Sequence, residues 1–198
     1  MGIRMSAKLF LACAALIASC SRREPPPVVA SQVTRCPVSA RAVATDSGVG
    51  QLRVKAPISS IGLPWRVLRD TTELGDEAQP ERVLTVATPC DTVTAVVDED
   101  GGIHHITISS NAIRTSDSLG VGTTLARLVR IEGARGVVGE NVLHVRAGSH
   151  CGLSFQFRDL DLGDQPPETF TVQELRRLPP TALVTTVLVI GCRDRAPA

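Results

Sequence analysis

The sequence predicts an α+β protein: duplicated units of a helix followed by an antiparallel hairpin, forming one or two antiparallel sheets with short helices packed on one face. Three observations carry that expectation. Two stretches of the chain match each other in order, several segments alternate apolar and polar residues between turn signals, and two short stretches place apolar residues three apart, as on one helix face. With 198 residues, 43% of them hydrophobic, the chain has room for one or two small domains with a real core.

The first element is an export signal, residues 1–19. Arg4 and Lys8 give a positive start, and residues 9–18 (LFLACAALIA) form an apolar stretch of ten. That is too short for a bilayer core of roughly 30 Å and right for a signal peptide. It ends in Ile17-Ala18-Ser19-Cys20, which resembles the lipobox of bacterial lipoproteins. The resemblance implies cleavage before Cys20 and a diacylglyceryl group, with acyl chains such as palmitate, on its sulfur. Residues 20–45 then form the lipidated cysteine and a tether. Within it, SRREPPPVVASQ (residues 21–32) is polar and proline-rich, with no amphipathic period. Ser21 stands where that family commonly carries an aspartate to signal inner-membrane retention, so the implied address is the outer membrane, facing the periplasm. Each buried methylene adds about 0.8 kcal/mol, and two or three acyl chains hold a protein firmly.

Residues 46–110 and 111–198 read as a first and a second α+β repeat. Leu52-Arg-Val54-Lys-Ala-Pro-Ile58-Ser-Ser-Ile61 and Leu119-Gly-Val121-Gly-Thr-Thr-Leu125-Ala-Arg-Leu128 share L-x-V-x-x-x-[IL]-x-x-[IL] at an offset of 67. Asp46-Ser47 and Asp117-Ser118 precede them. Downstream, Val83-Leu84-Thr85-Val86 with Cys90 matches Val142-Leu143-His144-Val145 with Cys151 at an offset of 59. Strands are expected at residues 92–97 and 103–108, around the acidic, glycine-containing turn 98–102. Others are expected at 153–157 and at 181–190 (TALVTTVLVI), with a short helix at 168–178 stopped by Pro179-Pro180. Arg69 to Glu73 and Glu77 to Arg82 read as a charged, solvated loop. Gly133, Gly136 and Gly139 read as turns.

This order of elements resembles the small lipoproteins of the outer-membrane barrel-assembly machinery and the tandem-repeat β-lactamase-inhibitor protein. The segment Gly120-Val121-Gly122-Thr123-Thr124-Leu125-Ala126-Arg127-Leu128 carries the likeness, and residues 52–61 echo it. The resemblance implies short helices packed on antiparallel sheets and a mainly non-enzymatic role, and it brings no catalytic residue. This chain lacks the aromatic residues that such sheets present to partners.

Six cysteines occur. Cys13 leaves with the signal and Cys20 takes lipid, which leaves Cys36, Cys90, Cys151 and Cys192, an even number for an oxidising compartment. Zinc is disfavoured because the closest pair, Cys151 and Cys192, is 41 residues apart and no C-x-x-C occurs. Three connectivities exist. Strand logic prefers Cys151–Cys192, at the start of one strand and the end of its antiparallel neighbour, which leaves Cys36–Cys90.

A search for chemistry returns few candidates. A net charge of +1, with one Trp, four Phe and no Tyr, argues against nucleic acid and against stacking platforms. Gly148-Ser149-His150-Cys151-Gly152 has the wrong register for a nucleophile elbow, and no H-E-x-x-H occurs. His104 and His105 are neighbours in a strand, so they are expected on opposite faces. His144 also falls in a strand, and His150 precedes Cys151. Asp159, Asp161 and Asp164 suit turn chemistry better than a calcium loop. The expectation is therefore a lipid-anchored, periplasm-facing lipoprotein acting as a non-catalytic binding or scaffolding module for a cell-envelope protein, with no cofactor, metal or catalytic residue. A hydrolase using His144, His150 or Asp159–Asp164, and an inhibitor of a secreted enzyme, are the alternatives.

Overall fold

The computed structural model describes residues 41–75, 79–163 and 165–192. The lipobox, residues 20–40 of the expected tether and Cys36 lie outside these residues, as does Asp164; the tether's expected end is corrected, because Ala44–Thr45 form a strand and Ala44 is buried in the core. The chain is mostly β. Among the described residues twelve strands run in order: β1 (Ala44–Thr45), β2 (Gly48–Val49), β3 (Leu52–Arg53), β4 (Arg66–Leu74), β5 (Pro80–Ala87), β6 (Thr92–Val97), β7 (Ile103–Ile108), β8 (Arg135–Gly139), β9 (Val142–Arg146), β10 (Leu153–Phe157), β11 (Thr169–Phe170) and β12 (Thr186–Val189). The first three make a small antiparallel sheet. The other nine make one large antiparallel sheet in the order β11-β8-β9-β10-β12-β7-β6-β5-β4.

The expected α+β architecture is overturned. The described residues hold only two α-helices, α1 (Leu125–Leu128) and α2 (Val172–Leu175), each one turn long, and a 3-10 turn at Ile58–Ser60. Apolar residues three apart at 58/61 and 125/128 do fall in these turns, but a single turn fixes several residues for one or two hydrogen bonds and makes no packing layer. The apolar face of the large sheet is covered instead by the three-stranded sheet, the single turns and irregular chain. Ala44, Val49, Leu52, Trp65, Ile113, Leu119, Leu125, Leu128 and Leu175 join one core with the inward residues of the strands.

Alternation explains the strands that carry this core. In β6, Val93, Ala95 and Val97 are buried and Thr94 and Val96 half-buried. In β5, Leu84 and Val86 point inward, and in β9 Leu143 and Val145 do the same. Every residue of β10 is buried, Ser154 and Gln156 included.

Chain order gives the sheet two arms of one plan. From the outer strand inward, one arm reads β4-β5-β6-β7 and the other β8-β9-β10-β12, and the arms meet where β7 pairs with β12 (Ile108↔Val187, Thr107↔Leu188, Ile106↔Val189). The entry to each arm is held the same way. Lys55 N–H donates to the Ile103 carbonyl (2.7 Å), Ile103 N–H to Ala56 (2.9 Å) and Ile58 N–H to Gly101 (3.1 Å). Sixty-seven residues later the set recurs: Gly122 to Val184 (2.8 Å), Val184 to Thr123 (2.9 Å) and Leu125 to Ala182 (2.8 Å). Lys55 and Gly122 both have positive φ, 68° and 82°.

Two further readings of the sequence are corrected. Arg69 to Glu73 are not loop but lie in β4, and Gly136 and Gly139 are not turns but lie in β8. Glycine at 136 is a packing demand: a Cβ there would stand 2.9 Å from Phe170 Cβ and 3.0 Å from Leu143 and Leu175.

Beyond the last β10–β12 pair, Cys151 and Cys192 form a disulfide with Cα atoms 5.1 Å apart. Cys90 is also disulfide-bonded, and Cys36, expected as its partner, lies outside the described residues. Cys151 and Cys192 are exposed, so their bond acts by closing a loop with a sequence separation of 41 rather than by packing. The Cys151→Ala/Cys192→Ala double variant is expected to lose about 4 kcal/mol of unfolding free energy in the chain-entropy model. Urea titration of the two proteins measures it.

Candidate functional site

Three places gather the side chains that could do chemistry or binding. The first is a cavity of about 350 Å³ between α1 and α2, lined by Leu125, Ala126, Val129, Arg130, Leu175, Arg176, Leu178 and Pro180. Its walls follow from local rules. Thr171 and Glu174 form a capping box that starts α2: Glu174 N–H donates to Thr171 Oγ1 (3.3 Å) and Thr171 N–H to Glu174 Oε2 (2.7 Å). The hydrogen bonds that Thr171 N–H and Thr171 Oγ1 (2.8 Å) donate to the Glu174 carboxylate hold it below the usual glutamate value. α1 has no side-chain cap. Its first N–H groups are satisfied by the chain leaving α2, Leu125 on the Ala182 carbonyl (2.8 Å) and Ala126 on the Pro180 carbonyl (3.1 Å). Leu125, Val129 and Leu175 are buried, while Arg130 and Arg176 are exposed at the rim. The result is an apolar floor with two guanidinium groups beside it.

The second place is a clamp around His150. Its Nε2 lies 3.1 Å from Asp117 Oδ2 and its Nδ1 4.0 Å from Asp46 Oδ1, with the ring 15% exposed. Asp46 sits in the two-residue turn between β1 and β2, and its Oδ1 also accepts from Gly152 N–H at 3.2 Å. A Cβ on residue 152 would lie 1.8 Å from the Asp46 carbonyl oxygen, so only glycine lets this turn dock. Asp117 belongs to a turn in which Thr115 Oγ1 donates to its carboxylate and accepts from Leu119 N–H (2.8 Å). Partial burial raises the Asp117 carboxyl, but hydrogen bonds from Thr115 and His150 and the electrostatic pull of His150 outweigh that, and its pKa is lowered. The two Asp-Ser pairs thus meet on one histidine, which fastens three loops together.

The third is His144, whose Nδ1 is 3.2 Å from Ser154 Oγ on the neighbouring strand. Ser154 is 3% exposed, which denies it to a substrate. Burial foremost, and then the charges of Arg146 and Arg158, lower the His144 pKa.

The remaining sequence candidates do not converge. His104 Nδ1 pairs with Asp98 Oδ1 (2.9 Å) in the open. A bulge where Val96 pairs with His105 and Val97 with Ile103 corrects the expectation that His104 and His105 point to opposite faces: their rings are edge-to-face, with centroids 5.4 Å apart. Asp161 Oδ1 accepts from Gly163 N–H (2.9 Å) in a turn, and Asp164 lies outside the described residues. Among the described residues, Asp46, Cys151 and Cys192 are the close group of metal-ligand type, but both sulfurs are in the disulfide and have no thiolate to offer. None of these groups lines the α1–α2 cavity. Reading the sequence missed Arg130 and Arg176. The arginines carry no local motif, and only the pairing of the segment after α2 with α1 brings them to one rim.

No family of known proteins matches the chain, and no curated protein matches it in sequence. Among solved structures the chain is similar to the uncharacterised protein yfeY from Escherichia coli, with 16% identity and a TM-score of 0.49 over 74% of this chain and 98% of that one.

The lowered His144 pKa has a testable consequence. Below pH ~6.5 the unfolded histidine takes up a proton that the folded one refuses. Stability is therefore full above that value and falls as pH drops toward the lowered folded pKa. His144→Gln is expected to show a smaller loss than the parent between pH 7.5 and 5.5, read as the shift in urea midpoint at the two pH values.

Proposed function

We propose that the chain is a lipid-anchored lipoprotein of the cell envelope, held on the outer membrane through Cys20 and facing the periplasm, and that it works as a non-catalytic binding module. The α1–α2 groove receives apolar side chains from an acidic segment of an envelope protein. The observation that carries this reading is the lining of that cavity: among the described residues its ionisable groups are Arg130 and Arg176, with no acid, base or nucleophile for bond-making. An enzyme site needs several convergent polar groups with matched proton affinities. Here the histidines with hydrogen-bonded partners lie elsewhere and are held by their own fold, His150 between two carboxylates and His144 against a buried serine. An apolar floor with a cationic rim is suited to a ligand that is apolar at the centre and acidic at the edge. No helix among the described residues is long and apolar enough to cross a membrane, and the anchor rests on the lipobox.

Two experiments test the two halves of this proposal. Cys20→Ser is expected to abolish metabolic fatty-acid labelling and release the protein from the membrane fraction; a variant still labelled and still bound overturns the anchor. A photo-crosslinking residue in place of Ala126, in intact cells, is expected to yield one protein adduct of defined mass that is lost when Arg130→Glu and Arg176→Glu are combined. Adducts with lipid alone, or a protein adduct indifferent to the charge reversal, overturn the groove as a protein site.

A further inference from the structure

The two ends of the large sheet are finished differently. At one end the outer edge of β8 is covered by β11, whose Phe170 is 7% exposed and packs over Gly136. β11 comes from the long connection between β10 and β12. In the other arm, the corresponding connection between β6 and β7 is the tight turn 98–102, so it supplies no covering strand to β4. Among the described residues, β4 pairs only with β5.

β4 is also the strand least occupied by the protein's own packing. Of its nine residues only Thr71 is half-buried and the other eight are exposed on both faces. Leu68 is 52% exposed and Leu74 77%. Past the bulge at Leu68, the regular run from Arg69 to Leu74, with its open N–H and C=O groups, is a template for another strand.

The side chains of β4 select a partner. Two copies of one strand that pair antiparallel in a continuous sheet are related by a two-fold axis normal to the sheet. Each residue then faces one on its own side of the sheet, and one residue faces itself. Thr71 Oγ1 donates to Glu73 Oε1 (3.1 Å), which places Thr71 and Glu73 on one side. Asp70 is bound on the other side by Arg82 (3.0 and 2.7 Å). An axis through Thr71 sets Arg69 against Glu73 twice and Asp70 against Thr72 twice; Leu68 sits at a bulge, between Val67 facing Val86 and Arg69 facing Thr85, and lies outside this ladder. An axis through Asp70 instead opposes two aspartates, and one through Thr72 sets Asp70 against Leu74. Opposite charges directly across a ladder are favourable, and like charges are not.

We propose that β4 is a homodimer edge, pairing antiparallel with β4 of a second copy about an axis at Thr71. The pairing extends the nine-stranded sheet across two chains. It is independent of the α1–α2 groove, which lies beside the other arm. The full-length protein in detergent tests it. Sedimentation is expected to show a dimer. Arg69→Glu alone and Glu73→Arg alone should each weaken association by about tenfold or more, and the two together should restore it to within about threefold of the parent. Thr71→Cys should form a disulfide-linked dimer on mild oxidation, and Thr85→Cys, on the neighbouring strand β5 and away from the axis, should not. All four positions are exposed or half-buried, and unchanged thermal melts check that each variant folds. A monomer at ~100 μM, roughly a hundredfold above a micromolar Kd, overturns the proposal. So does a dimer insensitive to the charge swap, or a Thr71→Cys variant that crosslinks to a different protein in place of a second copy.

Discussion

The pairing of β7 with β12 is the contact on which the rest of the structure depends. It joins residues 106–108 to 187–189, which are far apart in the chain, and it turns two four-stranded arms into one sheet with one core. The covering chain is registered to the same seam. Lys55 and Ala56 bond to Ile103 at the start of β7, and Gly122 and Thr123 bond to Val184 just before β12. A slip of one residue at the seam would turn Ile106, Ile108, Val187 and Val189 away from the core. The same slip would unhook the cover from both arms. Beside the seam, β10 is buried on both faces and continues its pairing with β12 through Ile190 N–H on the Gly152 carbonyl (2.8 Å). The Cys151–Cys192 disulfide then closes that end.

What could be read from the sequence follows from where each strand sits relative to that core. β5, β6, β7 and β9 have one face buried and therefore alternate. The matches 83–86 with 142–145 fall in β5 and β9, which hold corresponding places in the two arms. β4 was illegible because both of its faces meet solvent, so nothing selects apolar residues at every second position. β8 was illegible for the opposite reason: Gly136 lies under Phe170 and Leu175, and a strand that must admit such close neighbours shows glycine where alternation would show a side chain. The helices were over-read. One turn needs only a pair of apolar residues three apart, and that pattern says nothing about whether further turns follow.

The candidate sites were legible in part, for a related reason. His150 stood out, but its partners did not, since Asp46 and Asp117 reach it from turns far away in sequence. The recurrence of Asp-Ser at 46–47 and 117–118 was the available signal. Arg130 and Arg176 gave none. A groove whose floor is Leu125, Val129 and Leu175 is built from ordinary core residues, and only the tertiary fold leaves one side of them open.

The long connection between β10 and β12 accounts for most of what distinguishes the two arms. It carries β11, which closes the edge of β8, and α2, which supplies one wall of the cavity against α1. Both features share a hinge of packing, because Phe170 and Leu175 lie together over Gly136. The arm with the long connection therefore has a covered edge and a cavity. The arm with the short turn 98–102 has a 3-10 turn where α1 would stand, nothing among the described residues corresponding to α2, and an open edge at β4. Sheet energetics give the two arms the same strand pairing, so a difference in recognition must come from this one stretch of chain. On the readings we propose, ligand capture belongs to the arm that has walls and chain-to-chain pairing to the arm that has an edge.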